Sequence, residues 1–255
     1  MYLQTLGAIT SIGVLCACGG SSTSGNVTAR YTTLKAFSDG AGVARGVTTE
    51  GQEAVFILPE VQSFVAEANA NPNIDPDNDD FDNLPVVSNL PYADVRGGTV
   101  NIDGVSAQVI IVEDKGGDAE LLYAYVPGAG DLIGATGSAY GSAPNGTFEY
   151  NGTHAIGRRS TAATEVGTFA MSADFNNKTF DYSGGTTNSS LTGGGTINTT
   201  SGRFSSDDLA STVGTETSTA TMYGQFHGSS AQSTSGVFHT NESDPTFAGG
   251  FAGSR

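Results

Sequence analysis

Between residues 146 and 255 the pair Gly-x-Phe recurs at Gly146/Phe148, Gly167/Phe169, Gly202/Phe204, Gly224/Phe226, Gly236/Phe238 and Gly249/Phe251. In a strand, residues i and i+2 lie on one face, so both members of each pair point the same way. Each ring is then expected to lie over the gap that its own glycine leaves, and glycine permits the sharp coiling of a narrow barrel. Strand-like pieces accompany the repeat at 146–155, 165–175, 178–184, 190–198, 200–205, 219–228, 234–240 and 246–253. Eight such pieces in about 110 residues are what a small closed antiparallel barrel needs, and closure removes exposed sheet edges. The Phe rings are expected to fill that barrel; an aromatic lining for a ligand is the second reading of the same residues.

Upstream, residues 30–133 read as a small, mostly-β subdomain. Ala54–Leu58 looks like a strand ended by Pro59, and Val61, Phe64 and Val65 have the spacing of a short helix over Val61–Ala70. Val95–Ile102 and Val105–Glu113 flank Asp103-Gly104, the strongest short hairpin signal, and Ala119–Val126 follows as a third strand. Pro127-Gly128-Ala129-Gly130 closes this half, and Gly134–Gly146 reads as a connector. Within the barrel, Asn176-Asn177 is expected to make a two-residue turn in which Asn takes positive φ. The fold class is therefore all-β, an eight-stranded antiparallel barrel at 146–255 preceded by the smaller subdomain.

Charge narrows the partners. With 10 Lys+Arg against 26 Asp+Glu the net charge is −16, a surface that repels phosphate and argues against nucleic acid. The same balance argues against a polybasic membrane patch. Both cysteines, Cys16 and Cys18, lie near the N-terminus, so residues 30–255 hold by side-chain packing and strand pairing, with neither disulfide nor thiol chemistry.

From Met1 to Ala29 there is no charged residue, and Leu6–Ala17 is an apolar run too short to cross a bilayer as a helix. It suits the hydrophobic region of a secretory signal. The following Leu15-Cys16-Ala17-Cys18-Gly19 resembles a bacterial lipobox, with Leu three before Cys18 and a small residue directly before it. The resemblance implies a signal peptide at 1–18, acylation of Cys18 and a Gly/Ser-rich tether at 19–29; more than one acyl chain is needed for stable anchoring. The pattern departs from the usual one in lacking Lys or Arg before the apolar run.

Thr221-Met222-Tyr223-Gly224-Gln225-Phe226-His227-Gly228 leads to Ala231, then to Gly236-Val237-Phe238 and finally to Phe247-Ala248-Gly249-Gly250-Phe251-Ala252-Gly253. This series resembles the C-terminal signature of the barrel domain in transferrin-binding protein B-like surface lipoproteins. Val166–Phe169 with Asp174-Phe175 and Asn177–Phe180, and then Leu191–Phe204, resemble its earlier hairpins. The resemblance covers about 146–255 and implies a β "handle" at 30–133 beside the barrel, with a lipid anchor in the outer membrane, facing the cell surface. One barrel stands here where the named receptor has two lobes. Its transferrin-contacting loops have no counterpart, so transferrin is not carried over.

Chemistry-bearing residues are sparse. His154, His227 and His239 lack HxxxH or HxxE spacing, and alternation places His227 and His239 opposite the Phe rings, on the outer barrel face. Solvated histidines are the default there; a shared metal or pH-sensing pair is the sharper reading. The acidic stretch Asp75–Asn83 carries Asp75, Asp77 and Asp79 at the first half of an EF-hand spacing, but Asp80 stands where Gly is needed and Val86 where the bidentate Glu belongs. It is a solvated loop by default and a candidate for weak Ca²⁺ binding. Arg158-Arg159 is a basic doublet in a loop and a candidate contact for an anionic partner. With no nucleophile elbow, P-loop or Rossmann fingerprint, the expectation is a non-enzymatic lipoprotein without cofactor. It would be held to the membrane by its anchor and would bind a partner protein or solute, in iron or nutrient acquisition. The alternative is a structural or adhesive surface lipoprotein.

Overall fold

The computed structural model describes residues 37–38, 43–47, 53–57, 84–102, 105–117, 119–126, 130–158, 163–241 and 247–255. The first sheet contains β1 (Phe37–Ser38), β2 (Val43–Val47), β3 (Glu53–Ile57), β4 (Val86–Asn89), β5 (Ala93–Ile102), β6 (Val105–Asp114), β7 (Glu120–Val126) and β8 (Gly130–Thr136). Its order is β1-β2-β3-β8-β7-β6-β5-β4, antiparallel throughout. The expected hairpin is present, with Ile102 opposite Val105. Strand β8 runs through Gly134–Thr136, residues that the glycine content alone assigns to the connector.

The second unit is a closed antiparallel barrel of β9 (Thr147–Arg158), β10 (Ala163–Asp174), β11 (Thr179–Gly185), β12 (Ser189–Asn198), β13 (Arg203–Val213), β14 (Glu216–His227), β15 (Ser233–Thr240) and β16 (Phe247–Ser254), with β16 pairing back onto β9. The strand count and the closure are those expected. One piece is much longer than expected: β13 extends to Val213, where 200–205 was the strand-like stretch. The register shifts between Ser206 and Leu209, so Asp207 and Asp208 both face solvent. This bulge breaks the period-two pattern by which a strand is recognised. The turn after β10 also differs from expectation. It spans 175–178, Asp174 Oδ1 accepts the backbone N–H of Asn176 and Asn177 at 2.9 Å each, and Lys178 rather than Asn takes the left-handed φ of 59°.

The aromatic–glycine pairing is real, but it runs between strands. Phe204 lies opposite Gly224, Phe169 opposite Gly152, and Phe180 opposite Gly195. On β15 and β16 the arrangement is reciprocal: Gly236 faces Phe251, and Phe238 faces Gly249. Two Gly-x-Phe units on antiparallel neighbours therefore cover each other. A Cβ built on Gly224 would stand 2.1 Å from the Phe204 ring, and one on Gly249 would stand 2.5 Å from Phe238.

The two units share a second core. Leu121, Tyr123, Ile133, Val95 and Val112 of the sheet pack on Ala155, Val237, Ala248 and Ala252 of the barrel's outer face. Large side chains on one surface meet small ones on the other. A Cβ on Gly250 would lie 2.3 Å from Leu121, and one on Gly157 would overlap the Tyr123 ring. Hence β15 and β16 are buried along nearly their whole length, whereas β11, away from the sheet, alternates exposed and buried.

Candidate functional site

The barrel interior is filled. Beginning at the end where β9 starts, Phe175 meets Phe226 at a tilt with centroids 4.9 Å apart, and Phe226 meets Phe204 at 4.8 Å. Further along, Phe169 meets Phe251 at 5.0 Å and Tyr182 at 5.4 Å. His154 completes the column, its ring 4.9 Å from Phe238. A small barrel filled by side chains has no room for an internal ligand. The ring-filled reading of the Phe repeat holds, and the ligand-lining reading does not.

His154 shares the inward face with Phe148 and Tyr150, a parity readable from sequence. It is fully buried, and its Nδ1 shares a 2.8 Å hydrogen bond with the Tyr182 hydroxyl. Among the described residues its Nε2 has no partner. Burial holds its pKa down at about 3 and pushes that of Tyr182 far up, so both stay neutral.

One barrel end is sealed by residues 137–146. The Tyr140 hydroxyl donates to the Thr199 carbonyl at 2.9 Å, and its ring lies where a Cβ on Gly202 would fall. Gly202 has φ +71°, so a side chain there would be strained as well as obstructed. The Gly141 N–H donates to the Gly228 carbonyl at 3.0 Å, and the Phe175 N–H to the Gly146 carbonyl at 3.1 Å. Arg255 lies over Phe148, its guanidinium carbon 4.0 Å from the ring centroid, and donates to the Ser230 carbonyl at 2.7 Å. Replacing Tyr140 by Ala is expected to cost about 2 kcal/mol in chemical denaturation. The variant should also be nicked in 137–146 by protease faster than the parent.

His227 belongs to this seal. Far from being solvated, it is fully buried: Nδ1–H donates to the Ser138 carbonyl at 3.1 Å, and Nε2 lies 2.7 Å from the Ser235 hydroxyl. It faces outward as alternation requires, but the chain leaving β8 covers it. His239 is half-buried and donates through Nδ1 to the Thr240 carbonyl at 2.8 Å. The two do not form a pair. His227 stands opposite Ser233 and His239 opposite Thr221, so about six residues of β14, roughly 20 Å, separate them.

The opposite end is bounded by the connections 158–163, 185–189, 213–216 and 240–247. Arg158 stands at this rim, between Ala163 and Phe247. Arg159 lies outside the described residues, as do Cys18, Asp75, Asp77, Asp79 and the expected helix over Val61–Ala70. Glu165 holds one connection in place: it accepts from Asn188 Nδ2 at 3.0 Å and from the Thr186 hydroxyl. The Gly214 N–H donates to the Asn188 carbonyl at 2.7 Å and ties the next turn to it. Among the described residues no group of His, Cys, Asp and Glu is arranged to hold a metal ion.

No protein-family model matches the sequence, and no curated protein sequence matches it. Solved structures do. The apo haemoglobin receptor HpuA from Kingella denitrificans superimposes with a TM-score of 0.51 at 13% identity, over 87% of this chain and 93% of that one. The fold is shared with that receptor. Intact transferrin-binding protein B with N and C lobes aligns at TM-score 0.48 and 12% identity, over 83% of this chain and 51% of that one. The protein from serogroup B Neisseria meningitidis aligns at 0.47 and 15%, over 68% and 36%. This chain thus spans about half, or less, of those proteins.

Proposed function

We propose that this chain is an outer-membrane surface lipoprotein, anchored through Cys18, that binds a partner protein or solute in iron or nutrient acquisition and performs no catalysis. The observation that carries the reading is the asymmetry of the barrel. Its interior is full and one end is sealed, which leaves the connections around Arg158, Asn188 and Gly214 as the contact surface. The shared fold supports it, since HpuA is a haemoglobin receptor. Arg158 and Arg159 are then the residues that meet an anionic patch on the partner.

Protease shaving of intact cells that express the full chain tests the placement. Peptides from 146–255 should be released while a periplasmic control stays intact, and palmitate labelling should disappear in Cys18→Ser. Protection of the barrel until the outer membrane is broken would overturn the surface reading. Haemoglobin is the first bait for the same cells. Arg158→Glu combined with Arg159→Glu is expected to weaken capture at least tenfold with cell-surface abundance unchanged.

A further inference from the structure

The dipeptide Asn-Gly occurs at Asn145-Gly146 and at Asn151-Gly152, and the fold treats the two differently. The pair is chemically labile, because the glycine nitrogen has no side chain beside it to hinder attack on the asparagine carboxamide. That attack requires rotation about the Asn Cα–C bond, which brings the nitrogen onto Cγ. Asn151 and Gly152 lie inside β9 with strands on both sides: Asn151 stands opposite Ala170 and Ser254, and Gly152 opposite Phe169 and Gly253. In a closed barrel the rotation pulls this peptide out of its ladder, so it waits on local opening of the sheet. The space is closed as well, since a Cβ on Gly152 would lie 2.3 Å from the Ala252 carbonyl oxygen and 2.4 Å from the Phe169 ring.

Asn145 lacks these restraints. It is exposed in a bend just before β9, and Gly146 takes φ +106° with nothing within 4 Å of where a Cβ would fall. The Gly146 N–H donates to the Asn176 Oδ1 at 3.3 Å, a long bond to an exposed side chain that water replaces readily. The Gly146 carbonyl accepts the Phe175 N–H at 3.1 Å, but that group belongs to the next peptide unit and leaves the reacting one free to turn. Asparagines in the barrel's other turns differ. Asn176, Asn177, Asn188 and Asn198 precede Asn, Lys, Ser and Thr, whose side chains crowd the attacking nitrogen. Asn188 also gives its amide to Glu165, and the Asn198 Oδ1 accepts the N–H groups of Thr200 and Ser201.

We infer that Asn145 is a site of spontaneous deamidation, set at the joint between the seal and the barrel, whose conversion loosens the seal as the protein ages. The Gly146 nitrogen gives its proton to solvent base and bonds to Asn145 Cγ, and the carboxamide nitrogen leaves as ammonia. Water then opens the cyclic imide at either of its carbonyls and restores a peptide N–H, which leaves aspartate or isoaspartate. One water is consumed and one ammonia released, with no redox change. Either product adds a negative charge close to Asp174, whose carboxylate already accepts from the Thr147 side chain two residues on. Isoaspartate also lengthens the main chain by one methylene beside the contacts by which Tyr140 and Gly141 close the barrel end. The strands themselves are untouched, because the reacting bond lies outside them.

The test ages the full chain in mildly alkaline buffer, beside the same chain in concentrated urea. A glutamate-specific protease cuts after Glu149 and so separates the two asparagines, and mass spectrometry reads the amide-to-acid conversion of each. In the native chain Asn145 is expected to convert at least about tenfold faster than Asn151, whereas in urea the two should react alike. Protease nicking within 137–146 should rise roughly threefold in the aged parent and stay constant with age in Asn145→Gln, whose longer side chain closes the imide ring far more slowly. Native conversion of Asn151 at a rate matching Asn145 overturns the inference, as does an aged, deamidated parent that is nicked no faster than a fresh one.

Discussion

Acidification from pH 6.5 to pH 3 is expected to remove about 4 kcal/mol of folding stability through His154. The unfolded chain protonates this imidazole near 6.5, whereas the folded chain, with the ring sealed among Phe238 and Tyr182, resists until about 3. Below 6.5 the unfolded state thus binds a proton that the folded state does not. Stability is complete above 6.5 and drains away as pH falls towards 3. Asp174, whose carboxylate is held below its ordinary value by the N–H groups of its own turn, acts in the same direction at the acid end of that range. Urea denaturation followed by circular dichroism at a series of pH values checks this, the chain having no Trp. His154→Leu should flatten the profile between pH 6 and pH 4. A wild-type midpoint that stays constant over that interval would refute the account.

Gly224→Ala is expected to destabilise the barrel by about 3 kcal/mol, the upper range for an overpacked core, and to lower Tm by roughly 6–12 °C. The added methyl would meet the Phe204 ring at 2.1 Å, and that ring is hemmed in by Phe180 at 5.0 Å and Phe226 at 4.8 Å. No rotamer change relieves the overlap while those neighbours hold. Phe204→Leu alone should also destabilise, by leaving space, yet in combination with Gly224→Ala it should recover part of the loss. A double-mutant cycle with additive effects would show that the ring and the glycine do not act as a unit.

The barrel was legible because its information is local. Period-two alternation gave strand after strand from Thr147 to Ser254, and the parity of the Phe residues marked the inward face. Alternation failed at Asp207 and Asp208, where a bulge places two consecutive carboxylates in solvent. It also misjudged His227. Its outward direction was right, but an outward residue is exposed only if nothing covers it, and Ser138 comes from another part of the chain.

What the sequence determined by itself was the class of fold, the number of barrel strands and the residues that point inward, all properties of a strand and its immediate neighbours. The tertiary structure decided the rest. It placed Phe169, Phe180, Phe204, Phe238 and Phe251 each opposite a glycine across the ladder, laid the sheet against the small residues of β16, closed one barrel end with 137–146 and brought Asp114 to Ser254. Such contacts join segments as far apart as Asp114 and Ser254, 140 residues along the chain. Side-chain periodicity reports which way a residue faces; only the approach of a distant segment determines what it meets.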